Sequence, residues 1–422
     1  MNTSTYVGIG FGAIQAGLFL YEAHRSGHFA RLVVAEVMPD MVSAIRAAGG
    51  TFSINIAHAD QVESVTIGPV EVYNPNDPAD RAALIEAIAN ADEIGTAVPG
   101  VKFYQGEGEN SLHRWLGAGL RRKAQVQGPR AVIYAAENNN YAAELLQKAV
   151  MEEIPTGEQA DVTERVRFLN TVIGKMSGAA EDAAGLSLLP VTPESNRSWL
   201  VEAFNRILIT RIDFELPFQR GLDVFVEKPD LLPFEEAKLY GHNAVHAMGA
   251  YLARLLDLPT MNRLREHPDV MAFLRDAFLN ESGQALIQKH AGVDELFTPS
   301  GFAAYADDLL ERMTNPFLQD AVERVGRDPA RKLGADDRLI GTMRQALHYG
   351  IQPRRFGIAA AAAAAALDPS LFNLAAPLEP TLDSVWAAAP PAPEERASLL
   401  KLITEGRVHL HQWLDGTHPI LA

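Results

Sequence analysis

The chain of 422 residues contains no cysteine. This absence excludes thiol nucleophiles, disulfide bonds and zinc sites with cysteine ligands. It also fits a reducing compartment. The first residues, "MNTSTYVGIG", enter an apolar strand without the charged-then-apolar pattern of a signal peptide. We therefore expect a cytoplasmic protein.

Positive charge is also scarce, since 37 Lys and Arg stand against 53 Asp and Glu, a formal net charge of −16. Such a chain is expected to bind neither nucleic acid nor an anionic membrane. The longest apolar run, "FGIAAAAAAAAL" (356–367), is too short to span a bilayer and predicts a tightly packed alanine helix. With 47% hydrophobic and 21% charged residues, the composition is that of a soluble globular protein.

The first part of the chain alternates strand and helix signals. Its strands are short, apolar and β-branched, which predicts a parallel sheet covered on both faces. The predicted strands are "TYVGIG", "ARLVVAEV", "EIGTAVPG" and "RAVIYAAEN", and the predicted helices are "AIQAGLFLYEAHRSG" and "RAALIEAIANA".

From Pro193 onward the pattern changes to long amphipathic helices such as "FEEAKLYGHNAVHAMGAYLARLL". The predicted fold class is α/β, with a Rossmann-type doubly wound parallel sheet at residues 1–190. A mainly helical substrate-binding and catalytic domain is expected at residues 191–422. A turn or linker, "WAAAPPAPEE", is predicted before a last helix.

The glycine-rich stretch "VGIGFGAIQAGLF" lies between a predicted strand and a predicted helix. Glycines there allow a tight turn and close backbone approach, and the helix amino terminus then faces a pyrophosphate. Such a string also occurs at ordinary tight turns. Two registers are possible, Gly8-x-Gly10-x-x-Ala13 and Gly10-x-Gly12-x-x-Gln15, the second with Gly17 packing later in the helix.

The next predicted strand ends in "VVAE", which places Glu36 where an acid bonds the adenosine ribose hydroxyls. Because a carboxylate there repels a 2′-phosphate, Glu36 favours NAD over NADP. The alternative is a doubly wound fold that binds another nucleotide or none.

Lys238, Asn243 and His246 fall on one face of a predicted helix, at roughly 0°, 140° and 80° for 100° per residue. Alcohol oxidation needs a base and groups that hold the developing alkoxide. A lysine can be that base only if burial or nearby cations lower its pKa. The alternative is the polar side of a surface helix.

Two other chemistries are disfavoured. His242 and His246 stand four apart, but no glutamate follows His242 and no further ligand is evident, so no metal is expected. A tyrosine–lysine site also fails, because no Tyr-x-x-x-Lys occurs in the chain. Lysine remains as the candidate base.

"KLYGHNAVH" (238–246) matches the Lys-x4-Asn-x2-His signature, and the chain resembles the polyol-specific long-chain dehydrogenases. "GFGAIQAGLF" resembles that family's nucleotide turn in the Gly10/Gly12 register, and "GTAVPG" (95–100) its loop beside the nicotinamide. "AEN", with Asn138, is similar to its asparagine-bearing strand end, and "VEAFNRILI" to the start of its substrate domain. The run "NPFLQDAVERVGRDPARKLGADDRLIGTM" (315–343) resembles the branch acting on mannitol 1-phosphate.

This resemblance implies that Lys238 is the general base in oxidation and the general acid in reduction, flanked by Asn138 and Asn243, with His246 on a substrate hydroxyl. It implies metal-free hydride transfer directly to the nicotinamide, with Arg324 and Lys332 on the sugar chain. Gln15 departs from the usual last glycine, so helix and strand are expected to sit slightly farther apart there. The residues expected at the cofactor are Gly10, Gly12, Ala13, Ile14, Gln15, Glu36, Thr96, Ala97 and Val98.

The run "RVGRDPARK" (324–332) carries four cations against one acid and is a candidate phosphate site that adds Arg327 and Arg331. The alternative for these two arginines is a solvated, salt-bridged turn. The expected reaction interconverts mannitol 1-phosphate and fructose 6-phosphate. Alternatives are the same chemistry on free mannitol or on a hexuronate, and an NAD(H)-binding regulator without turnover. The expected partner is a sugar alcohol or sugar phosphate, and the protein a monomer or small homo-oligomer.

Overall fold

A computed structural model of the protein describes residues 4–180, 185–204 and 206–420. The chain divides into two compact units, Met1–Leu232 and Pro233–Ala422. The division therefore lies at Leu232, beyond the position near residue 190 expected from the sequence. The physical reason is that strands following residue 190 complete two sheets of the first unit.

The first unit contains all the strands of the described chain and helices α1 to α6. The strands are β1 (Thr5–Ile9), β2 (Arg31–Ala35), β3 (Phe52–Ala57), β4 (Val62–Ile67), β5 (Glu71–Tyr73), β6 (Glu93–Thr96), β7 (Ala131–Ala135), β8 (Val166–Val172), β9 (Ser177–Ala179), β10 (Trp199–Glu202), β11 (Ile207–Thr210) and β12 (Phe225–Lys228). The helices are α1 (Tyr21–Ser26), α2 (Pro39–Ala47), α3 (Pro78–Ala89), α4 (Leu112–Gln125), α5 (Ala142–Glu152) and α6 (Gln159–Arg165), with a π-helical segment at Gln15–Leu20 and 3₁₀ turns at Val101–Phe103 and Thr156–Glu158.

The main sheet has the strand order β12-β11-β8-β7-β6-β1-β2-β5. The six strands from β8 to β5 run parallel, while β11 is antiparallel to β8 and parallel to β12. A second sheet has the order β4-β3-β10-β9. Because the chain order reverses at β1, between β2 and β6, the carboxyl ends of these strands form the switch point where such folds bind nucleotides.

Both faces of the main sheet are covered. Val7 and Val33 point to the face that packs on helices α3, α4 and α5. Tyr6 and Val34 point to the opposite face, which packs on the helix after the glycine turn and on the second sheet. The predicted Rossmann-type fold is therefore confirmed, and the strands and helices predicted up to β7 are present. The stretch between β2 and α3, where no regular structure was predicted, contains α2 and three strands.

The regular elements among the described residues of the second unit are all helices, in line with the predicted fold class. Helix α7 (Leu232–Glu236) begins at the division. The others are α8 (Asn243–Leu255), α9 (Pro268–Ala277), α10 (Gln284–Lys289), α11 (Pro299–Met313), α12 (Val322–Gly326), α13 (Pro329–Lys332), α14 (Ile340–His348), α15 (Arg354–Leu367), α16 (Glu379–Trp386) and α17 (Pro393–Leu414), with π-helical segments at Ala237–His242 and Phe278–Gly283 and 3₁₀ turns at Met261–Glu266, Glu295–Phe297 and Pro369–Phe372.

The alanine run forms α15, and its residues from Phe356 to Ala364 are buried, as its predicted tight packing requires. Gly357 of α15 and Gly406 of α17 lie so close that a Cβ on Gly406 would be 2.5 Å from the Gly357 carbonyl carbon. Small side chains therefore let these two helices approach closely. Within the described residues, no helix combines the length and apolar character needed to cross a bilayer.

Candidate active site

The glycine turn follows β1 at the switch point of the main sheet. Gly10 has a φ of +85°, and a Cβ there would lie 2.8 Å from the Ala97 carbonyl oxygen. Only glycine fits this left-handed, crowded position without strain. Gly12 lies just before the helix, and a Cβ on it would meet nothing within 4 Å. A tight turn at Gly10 and open space at Gly12 favour the Gly10/Gly12 register, and this cradle fits a pyrophosphate.

Gln15, which stands in place of the usual last glycine, is accommodated between helix and strand. Its side chain is fully buried, and Nε2 donates a hydrogen bond to Tyr6 Oη at 2.8 Å. A Cβ on Gly8 would overlap this amide, so the missing side chain on the strand makes room for the one on the helix. Gly17 provides the remaining close contact, against Val201 of β10. Because the Gln15 side chain points into the core, a cofactor contact at this position would involve its backbone.

Glu36 lies at the end of β2 and is buried. Its Oε2 accepts a hydrogen bond from the Phe11 backbone N–H at 2.9 Å, and its Oε1 accepts one from the Met38 N–H at 2.7 Å. The carboxylate therefore joins the glycine turn to the end of the second strand. A carboxylate has about four acceptor sites, so two remain for ribose hydroxyls.

The loop after β6 carries the other predicted cofactor residues and is fixed by Glu137. Thr96 Oγ1 and the Val98 N–H each donate to the Glu137 carboxylate at 2.8 Å, and Tyr104 Oη donates a further short hydrogen bond. Burial raises the pKa of Glu137, while these donors act in the opposite direction. The neighbouring Asn138 is exposed. Glu137 thus positions the loop, a role that sequence reasoning missed although it quoted this residue beside Asn138.

Lys238 lies in the π-helical segment Ala237–His242, which continues into α8. The Asn243 N–H donates to the Lys238 carbonyl oxygen, a bond across five residues. A helix wheel with α-helical spacing sets these two residues about 140° apart. In a π turn, residues five apart lie nearly above one another, so Lys238 and Asn243 are closer in direction than predicted. Such single turns are frequent at functional sites.

The environment of Lys238 weakens its hold on a proton. The side chain is half-buried. Burial and the positive charge of Arg338 lower the pKa of Lys238 to about 8, against the opposing effect of Glu235. An amine with this pKa can both accept and donate a proton near neutral pH, which is what a general acid–base residue requires.

The two histidines of the helix differ in setting. His242 is buried, and this burial, with the charge of His246, moves its pKa well below the ordinary value. His246 is 13% exposed, and its Nε2 lies 3.4 Å from Asp320 Oδ2. Among the described residues there is no cluster of three or more histidine or acidic side chains arranged to hold a metal ion.

The predicted cationic run does not act as one patch. Arg324 donates to Asp320 at 2.8 Å, and Arg331 pairs with Asp328 at 3.3 Å on the surface. Arg327 is exposed. Lys332 alone is buried, and its Nζ donates to the Arg327 carbonyl oxygen.

A further cation, Arg338, was not predicted, because it lies beyond the cationic run 324–332. Its side chain is 13% exposed, and Nε donates to Asp337 Oδ1 at 2.8 Å. Its charge lowers the pKa of both Lys238 and Lys332 to about 8, in each case after the larger effect of burial. The sequence signal was its place within the family-like run 315–343.

Comparison with known proteins shows the family to which this chain belongs. Residues 4–215 match a family model described as the mannitol dehydrogenase Rossmann domain, and residues 230–369 match its C-terminal domain. The chain belongs to the mannitol dehydrogenase family and is an oxidoreductase acting on CH–OH groups.

Among curated relatives, the mannitol-1-phosphate 5-dehydrogenase of Brevibacillus brevis is 31% identical over 317 residues, 74% of each chain. The enzyme of that name from Bacillus licheniformis is 31% identical over 315 residues, 74% of this chain and 76% of its own. Of solved structures, Pseudomonas fluorescens mannitol 2-dehydrogenase, a ternary complex with NAD and D-mannitol, gives a TM-score of 0.70 at 16% identity, covering 97% of this chain and 95% of its own. A substrate-free D-sorbitol dehydrogenase gives 0.75 at 13%, covering 98% and 96%.

Proposed function

We propose that the protein is an NAD-dependent dehydrogenase that interconverts mannitol 1-phosphate and fructose 6-phosphate, without a metal and with Lys238 as general base. The observation that carries this proposal is the half-buried Lys238 side chain, whose pKa is lowered to about 8. It lies on a π turn that brings Asn243 to nearly the same side of the helix. The absence of cysteine fits a cytoplasmic site of action.

In the oxidation direction the proton and the hydride leave the same CH–OH group. Lys238 Nζ takes the hydroxyl proton, the Asn243 amide donates to the oxygen as negative charge develops on it, and His246 binds a substrate hydroxyl. The nicotinamide, when bound, supplies the hydride acceptor. In reduction Lys238 returns the proton to the carbonyl oxygen. An asparagine donor cannot compete for the proton, so base and orienting groups keep separate roles.

NAD is proposed because of the charge at the end of β2. Glu36 is buried beside the glycine turn, and its carboxylate would repel the 2′-phosphate of NADP. One observation favours the other cofactor: Arg197 Nη1 lies 3.6 Å from Met38 Sδ, two residues beyond Glu36. Because Glu36 has the more direct contact with the turn, NAD is the stronger proposal.

A phosphorylated substrate is proposed for two reasons. The relatives at 31% identity are named mannitol-1-phosphate 5-dehydrogenases. In addition, the second unit holds Lys332 and Arg338 within electrostatic range of each other, both largely buried in a chain of net charge −16. Two such cations suit a phosphate dianion. Arg327 and Arg331 are weaker candidates because both are exposed.

The test is a substrate panel with NADH at neutral pH, comparing fructose 6-phosphate, fructose, fructuronate and tagaturonate. We expect fructose 6-phosphate to give the highest kcat/KM. A strong preference for free fructose would instead identify a mannitol 2-dehydrogenase activity, and a preference for a uronate would identify a hexuronate reductase. Tight NADH binding without turnover of any of the four would favour a regulator.

A further inference from the structure

Asp320 lies between His246 and Arg324, the two residues for which the family resemblance implies substrate binding. Its Oδ1 accepts hydrogen bonds from Arg324, at 2.8 Å from Nε and 2.5 Å from an Nη. Its Oδ2 lies 3.4 Å from His246 Nε2. The side chain is only 5% exposed, whereas that of Arg324 is 45% exposed. The carboxylate is therefore a buried anchor with one oxygen toward each partner.

The backbone around Asp320 is fixed independently of these contacts. The Asp320 carbonyl oxygen accepts from the Met261 N–H at 2.8 Å, and Ala321 forms a β-bridge with Thr260. The preceding Gln319 has a φ of +45°, a left-handed conformation that costs energy for a side-chain residue. Because the backbone that carries the Asp320 side chain is fixed in this way, its carboxylate can set the orientation of a neighbouring side chain.

The polar atoms that face each other leave little choice of partner. His246 Nε2 and Asp320 Oδ2 are both buried and lie 3.4 Å apart, and within the described residues neither makes a hydrogen bond. A buried carboxylate oxygen and ring nitrogen left apart would each lose the partner they have in water. Burial raises the pKa of Asp320, but His246 and Arg324 more than offset this and bring it below its ordinary value. The carboxylate is thus ionised beside the imidazole.

Resting on the proposed function, we propose that Asp320 is a positioning residue that holds His246 with the proton on Nε2 and so presents Nδ1 to a substrate hydroxyl. The second partner of a histidine decides which ring nitrogen carries the proton. Asp320 also fixes Arg324, so that one buried carboxylate orients two residues from different parts of the chain. Sequence reasoning could not pair them, because Asp320 lies far beyond His246 in the chain.

The kinetic test is a set of double-variant cycles on the full chain, with fructose 6-phosphate and NADH. Asp320→Asn should lower kcat/KM by about tenfold or more, the size of effect seen when the partner of a functional histidine is removed. The loss caused by Asp320→Asn should then be clearly smaller in the His246→Gln background than in the wild type, because part of the effect of Asp320 passes through His246. A purely structural role would make the two losses multiply, and that result would overturn the proposal.

A parallel cycle with Arg324→Gln separates the two partners of Asp320. Coupling that appears only with Arg324, and not with His246, would also contradict the proposal. The matched control is Asp307→Asn, which removes a surface carboxylate bonded by Arg275 in the same unit and should leave kcat/KM unchanged. NADH binding and thermal unfolding are measured for each variant, to show that the fold is intact.

A measurement on the wild-type protein keeps the proposal testable if Asp320→Asn does not fold. The ¹⁵N resonances of histidine rings differ between protonated and unprotonated nitrogens, and His246→Gln identifies the His246 signals by their loss. We expect a proton on Nε2, and an unprotonated Nε2 would refute the proposed pairing. If the wild-type protein turns over none of the panel substrates, the proposed function fails while this measurement still decides the role of Asp320.

Discussion

The glycine turn of the first unit and the lysine helix of the second both contain a π-helical segment, but they differ in what suits them to a ligand. At the turn it is the backbone shape: Gly10 has a positive φ, Gly12 leaves open space, and the Glu36 carboxylate accepts hydrogen bonds from two backbone N–H groups. At the helix it is the protonation of the side chains. Burial and a nearby arginine lower the pKa of both Lys238 and Lys332.

The difference teaches which kinetic quantity each region should control. A preformed backbone cradle mainly contributes binding energy that is equal in ground and transition states, and so affects the affinity for the cofactor. An amine that must gain or lose a proton during the reaction contributes in the transition state, and so affects kcat. Substitutions in the two regions should therefore separate into those that weaken NADH binding and those that slow turnover.

The largest expected effect is that of Lys238→Ala. Loss of the general base should lower kcat by at least about a hundredfold, while the dissociation constant for NADH stays close to that of the wild type. Stopped-flow turnover and NADH fluorescence titration measure the two quantities. Lys401→Ala, on the exposed face of α17, is the control and should leave both unchanged. Retention of most of the turnover would remove Lys238 from the mechanism.

The next effect is the pH dependence of the oxidation rate. The base must be unprotonated to accept the hydroxyl proton, so kcat/KM for the polyol should rise with pH and level off above a pKa near 8. Two units below that value the rate should be lower by about a hundredfold. Reduction needs the protonated amine, so its rate should fall above the same pH. A flat oxidation profile between pH 6 and 9 would contradict the assignment.

Arg338→Gln should give a smaller effect that depends on the substrate. Removing one cation from a phosphate site should lower kcat/KM for fructose 6-phosphate by about tenfold, the lower end for a charge-assisted hydrogen bond. Any residual activity on unphosphorylated fructose should change little. Arg396→Gln, which breaks the surface pair with Asp383, is the matched control. Equal losses on both substrates would assign Arg338 a structural role instead.

The smallest expected effect is on the choice of cofactor. Glu36→Gln keeps an acceptor for a backbone N–H but removes the charge, so NADH should bind a few-fold more weakly while discrimination against NADPH relaxes. Glu36→Ala removes both and should weaken NADH binding by about fivefold. The measurement is the ratio of kcat/KM for the two cofactors. An unchanged ratio in both variants would separate Glu36 from cofactor recognition.

The parts predicted from sequence are those that depend on neighbouring residues. The turn at Gly10, the strand before it and the acid at Glu36 follow from a short stretch, because each depends on backbone conformation or on an alternating pattern. The parts that were missed depend on distant partners. The strands that extend the first unit to Leu232 are short and pair with strands far earlier in the chain, for example β10 with β3.

The lysine site shows the same limit at the level of side chains. The motif located Lys238, Asn243 and His246, but a helix wheel at 100° per residue cannot represent the π turn between the first two. Counting charge in 324–332 gave a cationic run, yet Arg331 is paired with Asp328 and exposed to solvent. Which cations are buried beside Lys238 is a property of tertiary packing, and it is Arg338 that shares its surroundings.

The packing of the Gln15 side chain against Gly8 bears on how dinucleotide-binding chains are recognised from sequence. In this chain the large side chain between the first strand and the first helix is on the helix, at Gln15, and the missing one is on the strand, at Gly8. A search pattern that insists on a small third position in the helix would overlook chains built in this way. A pattern that scores both positions together would recover them.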